Sequence, residues 1–187
     1  MPRKECITIE QILDTAFAMT REEGYASVTA RKVAARAGCS TQPIFRVYKN
    51  MEELWDAVYE KAVAFFQDYY GHYPQMAHVP FVNLGMAYIA FAREEGHLFE
   101  LLFLSQRGNR RSMYDLINGS DSNVLYEIDR ARAEGCSRPE EVFMRMWIFV
   151  HGSACMALTG DYDLSNVETL SMLKQVYGQF AKPNTLP

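Results

Sequence analysis

The sequence lacks the short motifs that most catalytic chemistries require. It has no glycine-rich phosphate loop and no H-E-x-x-H pair. Gly152-Ser153-Ala154-Cys155 is superficially like a nucleophile turn, but Gly-x-Ser-x-Gly is missing and the segment reads as mid-helix. The four cysteines, Cys6, Cys39, Cys136 and Cys155, form no C-x-x-C pair and no Cys/His cluster at zinc spacing. That predicts no metal and no cofactor, and reduced, mostly buried thiols, as a reducing compartment favours. A redox role would fall to Cys136, which reads as exposed.

Long apolar runs are also missing: charged or polar residues break each one short of a membrane span. Met1-Pro2-Arg3-Lys4-Glu5-Cys6 leads into an amphipathic segment with no apolar run, unlike a secretory signal. The expectation is a soluble cytoplasmic protein with no membrane partner. Apolar residues reach 49% against 22% charged, enough to bury a core and to exclude a disordered chain.

Acidic and basic residues are unevenly shared. Residues 1–50 carry eight Lys/Arg and five Asp/Glu, a balance of +3, which leaves −7 on the remainder of a chain whose total is −4. A positive head on a negative body suits a protein that meets a polyanion at one end.

No convincing period-2 strand is present, and the apolar period is helical almost throughout. Ile9, Ile12, Leu13, Ala16 and Phe17 mark one face of a first helix, capped by Thr8 with Gln11 three residues on and stopped at Gly24. Helices follow from Thr29 to about Ala37, from a Ser40 cap to about Tyr48, and from Asn50 or Met51 to about Tyr70. Further helices fall near 80–95 (stopped by Gly96), 97–105, 121–134, 138–159 (opened by Ser137 as cap before Pro139) and 166–181, with a polar loop over 106–120. The fold class is all-α: three helices over residues 1–50 and a larger helical body over 51–187.

The stretch Thr29–Lys49 carries the functional signal. Ala34 is small where two short helices would cross, and Gly38 supplies a left-handed turn without steric cost. Val33, Ala37, Ile44 and Val47 are inward positions that lock the second short helix across the first. Its outward face then offers Thr41, Gln42, Phe45, Arg46 and Lys49. A recognition helix enters the major groove N-terminus first, so Ser40, Thr41, Gln42 and Pro43 lie nearest the bases. Gln pairs with adenine, Arg46 with guanine, and the Pro43 ring or Thr41 methyl packs on a thymine methyl. Thr29 and Arg31 at one helix start, and Tyr48 and Lys49 at the far end, would meet phosphates. An ordinary helical hairpin in a bundle shares the Ala-x3-Gly pattern. The polar helix start and local positive charge favour double-stranded DNA.

The run Ile12-Leu13…Ala16-Phe17…Gly24-Tyr25…Thr29-Ala30-Arg31-Lys32-Val33-Ala34…Ala37-Gly38-Cys39-Ser40…Ile44-Phe45…Tyr48-Lys49-Asn50-Met51-Glu52-Glu53-Leu54 resembles the N-terminal domain of the TetR (tetracycline-repressor) family over residues 7–58. The resemblance implies an all-helical homodimer on a palindromic operator, usually a repressor released by a small organic effector. Phe45 stands where the family usually has Tyr, losing a phosphate-bonding hydroxyl. Gln42-Pro43 replaces the common Gly-Thr, Met51 a frequent Lys and Val28 a common Thr.

For the body, the resemblance implies a dimer interface from the last two long helices. Gly152, Ser153, Ala154 and Ala157 permit close approach there, and Leu170, Leu173, Val176, Tyr177 and Phe180 keep helical spacing. Phe65, Tyr69, Tyr88, Phe91, Phe103, Tyr126, Trp147 and His151 are candidate linings of an effector cavity, although aromatics at such spacing also build plain cores. A body governed by a protein partner, and a monomer with internal core helices, remain open alternatives.

Overall fold

The computed structural model describes residues 7–105 and 122–182; the expected loop over 106–120, Cys6 and the basic pair Arg3-Lys4 lie outside them. Among the described residues every regular element is helical. In order they are α1 (Ile9–Glu23), a 3-10 turn (Tyr25–Ser27), α2 (Ala30–Arg36), α3 (Gln42–Val47), α4 (Met51–His72), α5 (Val82–Glu94), α6 (Gly96–Phe99), a π turn (Glu100–Leu104), α7 (Ser122–Ala133), α8 (Pro139–Thr159) and α9 (Asn166–Phe180).

Local chemistry accounts for most boundaries. Thr8 and Gln11 form a reciprocal capping box on α1, and Ser165 with Glu168 does the same on α9. Two expected caps are displaced by one residue. Thr41, not Ser40, precedes α3, and Arg138, not Ser137, precedes α8; neither side chain makes a capping bond, and Arg138, which has only donors, pairs instead with Glu141 at 2.7 Å. Gly96 opens α6 instead of stopping α5, which ends at Glu94. The expected helix over 97–105 widens into the π turn after Phe99.

Within the described residues the chain divides into two compact units. One holds the N-terminal helices through Gln67 together with Glu95–Ser105; the other holds Asp68–Glu94 and the helices from residue 122 on. The core of the first unit brings Ile12 and Ala16 of α1 together with Val33, Ile44, Leu54, Val58 and Leu98, all at most 1% exposed. Arg21 on α1 makes a two-pronged pair with Glu95, its Nε 2.6 Å from Oε2, while its guanidinium carbon lies 5.0 Å above the Phe65 ring. This charge-assisted fork ties the segment after α5 to the N-terminal helices.

In the second unit α5 is enclosed along its length, Val82 to Ala92 all being buried. Gly85 is the point of closest approach: a Cβ there would stand 3.0 Å from Val150 Cγ2 and 3.2 Å from Leu173 Cδ1. The turn leading into α5 is fastened by two groups that hydrophobic periodicity does not reveal. Asn83 Oδ1 accepts from the N–H groups of Met76 and Ala77, at 2.9 and 3.0 Å, and its amide donates to Ala77 O. Glu127, 1% exposed, accepts from the Phe81 N–H and pairs with Arg130 at 3.0 Å, while Arg130 donates to His78 O. These bonds hold Phe81 at φ 63°, a left-handed conformation that a bulky residue adopts only when its surroundings dictate it.

By length and composition alone α8 is apolar enough to cross a membrane, although only 33% of its most apolar window is buried. Arg145 breaks the run in the sequence, which is why its mean hydropathy escapes a reading by uninterrupted stretches.

Candidate nucleic-acid interface

The hairpin of α2 and α3 is fixed by its turn. The Cys39 N–H reaches back to Ala34 O at 2.9 Å and the Gly38 N–H to Ala35 O, with Gly38 at φ 68°. This αL stop satisfies carbonyls at the end of α2 and turns the chain for α3. Val33, Ala34 and Ile44 are buried at the crossing; Ala37 and Val47 are half-buried. Thr29 caps α2 by accepting from Lys32 N at 3.3 Å.

The inward position of Ile44, fully enclosed, sets the phase of α3. Gln42, Phe45, Arg46 and Lys49, at i, i+3, i+4 and i+7, are all exposed, as are Thr29, Arg31 and Ser40 at the helix starts. Thr41 and Pro43 are half-buried. Tyr48 departs from expectation. It follows Ile44 by four residues on the same inward side, is only 9% exposed, and burial raises its hydroxyl pKa. Its ring belongs to the core rather than to the outward face.

The cations of this unit fall into two groups. Arg21 pairs with Glu95, Lys32 with Glu23 at 3.4 Å, Arg36 with Glu22 at 2.6 Å, and Lys61 with Asp14. The Arg36–Glu22 hydrogen bonds hold the carboxyl pKa down and the guanidinium pKa up. Arg31 and Arg46, in contrast, have no acidic partner among the described residues, and Lys49 is 88% exposed with Glu53 3.5 Å away. The net +3 read from the sequence therefore understates the contrast, because most acids of the head are spent on cations away from α3.

The candidate effector residues are shared between the two units. Phe65 packs on Phe17 at 5.7 Å, and Phe103 on Phe66 and Phe99 at 5.3 and 4.9 Å, all inside the first unit. In the second unit Tyr69 meets Phe91 edge-on at 5.2 Å and donates to Glu94. Tyr88, Trp147 and His151 do come together. The Tyr88 hydroxyl lies 3.0 Å from His151 Nδ1, and Trp147 packs on both rings. Burial pushes the Tyr88 pKa well up and the His151 pKa down. Phe81, Gly85, Tyr88, Phe143 and Trp147 border an apolar gap of about 10 Å³. Tyr126, 63% exposed, borders a separate open cavity of about 420 Å³ with Arg130, Glu134 and residues 75–78.

Of the expected dimer residues, Gly152 is exposed, and Ala157, Leu170, Tyr177 and Phe180 are half-buried. Leu173 is fully enclosed against Gly85 of α5 and belongs to the chain's own core, a role that a leucine at helical spacing does not announce. Cys136, expected to be exposed, is buried behind the Schellman turn at the end of α7, its N–H bonded to Ala131 O.

An all-helical chain whose exposed, cation-flanked second hairpin helix is locked across the first by buried Val33, Ala34 and Ile44 is a helix-turn-helix regulator. The family model for bacterial regulatory proteins of the tetR family matches residues 12–58, and that for the tetracyclin repressor-like C-terminal domain matches residues 81–175. The chain belongs to the TetR family of transcriptional regulators. Its fold is similar to that of a TetR-like transcriptional regulator from Rhodococcus sp. RHA1 (TM-score 0.62, 14% identity, 96% of this chain and 97% of that one). It is also similar to a protein from Rhodococcus sp. assigned to the TetR family (TM-score 0.65, 17% identity, 92% and 98%). No curated protein matches the sequence.

Proposed function

We propose that this chain is a homodimeric cytoplasmic repressor that binds a palindromic operator through α3 of each protomer and leaves it when a small organic effector binds the body. In this reading residues 1–50 carry DNA binding and residues 51–187 carry effector binding and dimerisation, with no catalytic activity and no cofactor. The observation that carries the DNA reading is the absence, among the described residues, of acidic partners for Arg31 and Arg46 beside the exposed stripe of α3.

A single head offers few contacts for a specific site, so two are needed. Support for pairing comes from α8, where Ile148, Gly152 and Met156, each four residues apart, are exposed on an otherwise apolar helix. A second copy of the chain, related by a two-fold axis, would cover that face, with Ala157, Leu170, Tyr177 and Phe180 at its margins. The effector reading is supported by the polar pair Tyr88–His151 set in aromatic walls. One observation favours a second reading, in which the body answers to a protein partner: the gap beside Tyr88 holds no more than one water, so a ligand there would have to displace side chains.

Selection of bound duplexes from a random library with the purified protein tests the proposal. Recovery of a palindrome with half-site centres about 34–36 Å apart is expected. No enrichment above a salt-sensitive background would overturn it.

A further inference from the structure

We infer that Phe45 reads the C5-methyl group of a thymine in each operator half-site, so that the site carries an obligatory thymine beside the bases met by Gln42 and Arg46; the inference rests on the DNA-binding reading above. Phe45 is 47% exposed and makes no ring contact among the described residues, whereas most other aromatic rings of the first unit pack on partners. It stands at i+3 from Gln42 and next to Arg46, about 100° round α3 from the enclosed Ile44. A phenyl ring offers neither donor nor acceptor, so it cannot bond a phosphate oxygen or a base edge. The apolar group that a major groove presents is the thymine methyl.

The flanking charges commit the occupant. Arg46 follows Phe45 directly, the 88% exposed Lys49 stands four residues on, and Arg31 is exposed on α2; a polyanion is the partner that such cations admit. An apolar protein surface would have to strip water from those cations without repaying it. Thr41 and Pro43, the other groups able to touch a methyl, are half-buried, which leaves Phe45 as the most protruding apolar surface on this helix.

The test begins with the duplex recovered by selection. Each thymine is replaced in turn by deoxyuridine, which removes the methyl and preserves pairing. For the intact protein, one position per half-site is expected to lower affinity about three- to tenfold, the range for one methyl withdrawn from an apolar contact. Phe45→Ala, checked for folding by circular dichroism, should bind thymine and uracil probes equally. Its salt dependence should match that of the intact protein, because no phosphate contact is lost. The inference is overturned if no thymine is sensitive, if the sensitivity survives in Phe45→Ala, or if Phe45→Ala loses salt dependence instead. A palindrome recovered without a sensitive thymine sinks this inference alone, whereas failure to recover any palindrome sinks the DNA-binding proposal with it.

Discussion

Arg46 and Lys49 occupy the same face of α3 but should behave differently. Arg46 lies within the helix and can fork onto a guanine; replacing it with alanine is expected to cost about 1–3 kcal/mol of specific binding and relax base preference at one position per half-site. Competition with single-base operator variants checks this, and equal weakening on every sequence would mark Arg46 as a phosphate contact. Lys49 follows the helix end, with its ammonium almost wholly in solvent. Lys49→Ala should lower affinity uniformly and reduce the slope of log K against log salt by about one. Titrations at four salt concentrations decide it. The sequence alone shows which residues face outward, because the period of 3.6 places them. It does not show which cations are already satisfied: the Arg36–Glu22 pair spans fourteen residues and Arg21–Glu95 seventy-four, and neither separation is a helical repeat. Tyr48 misleads for a related reason, since an amphipathic ring at a helix end suits a phosphate and a core equally well.

At the scale of the element, the turn between α2 and α3 is the sensitive joint. Gly38 has open space around its Cα, so alanine there would meet no atom, yet its φ of 68° remains unfavourable for any side chain. Gly38→Ala should therefore destabilise the protein by about 1–2 kcal/mol through backbone strain alone. A lowered urea midpoint with an unchanged m-value is the expected reading. Helix existence follows legibly from apolar spacing and from glycine and proline punctuation. The ends that differ do so where two signals compete, as at Ser40 and Thr41, or Ser137 and Arg138, each pair ahead of a proline. The clasp of Asn83 and Glu127 on the turn before α5 is invisible to periodicity. Polar residues at buried helical positions read as interruptions until their partners are placed.

For the whole molecule, pH acts most directly through His151. Burial lowers its pKa from the ordinary 6.5, so the folded state holds the proton less readily than the unfolded chain. Its contribution to stability is present above about 6.5 and is lost as the pH falls through that value. Chemical unfolding at pH 7.5 and 5.5 should show a larger loss for the native protein than for His151→Gln. An equal loss in both would remove His151 as the cause. Glu127, whose pKa burial raises, works in the opposite sense: its cost is relieved as the pH falls through a value above the ordinary 4.5.

The fork between Arg21 and Glu95 has a consequence for anyone who would recombine such regulators. The N-terminal helices are packed, inside their own unit, on chain that arrives only after α5 has been completed. A chimera spliced after α4 would deprive α1 of Leu98 and leave Arg21 facing a foreign residue in place of its carboxylate. The transplantable module is discontinuous in sequence, and a graft that carries Glu95–Ser105 along with the head should retain operator binding where the shorter graft does not.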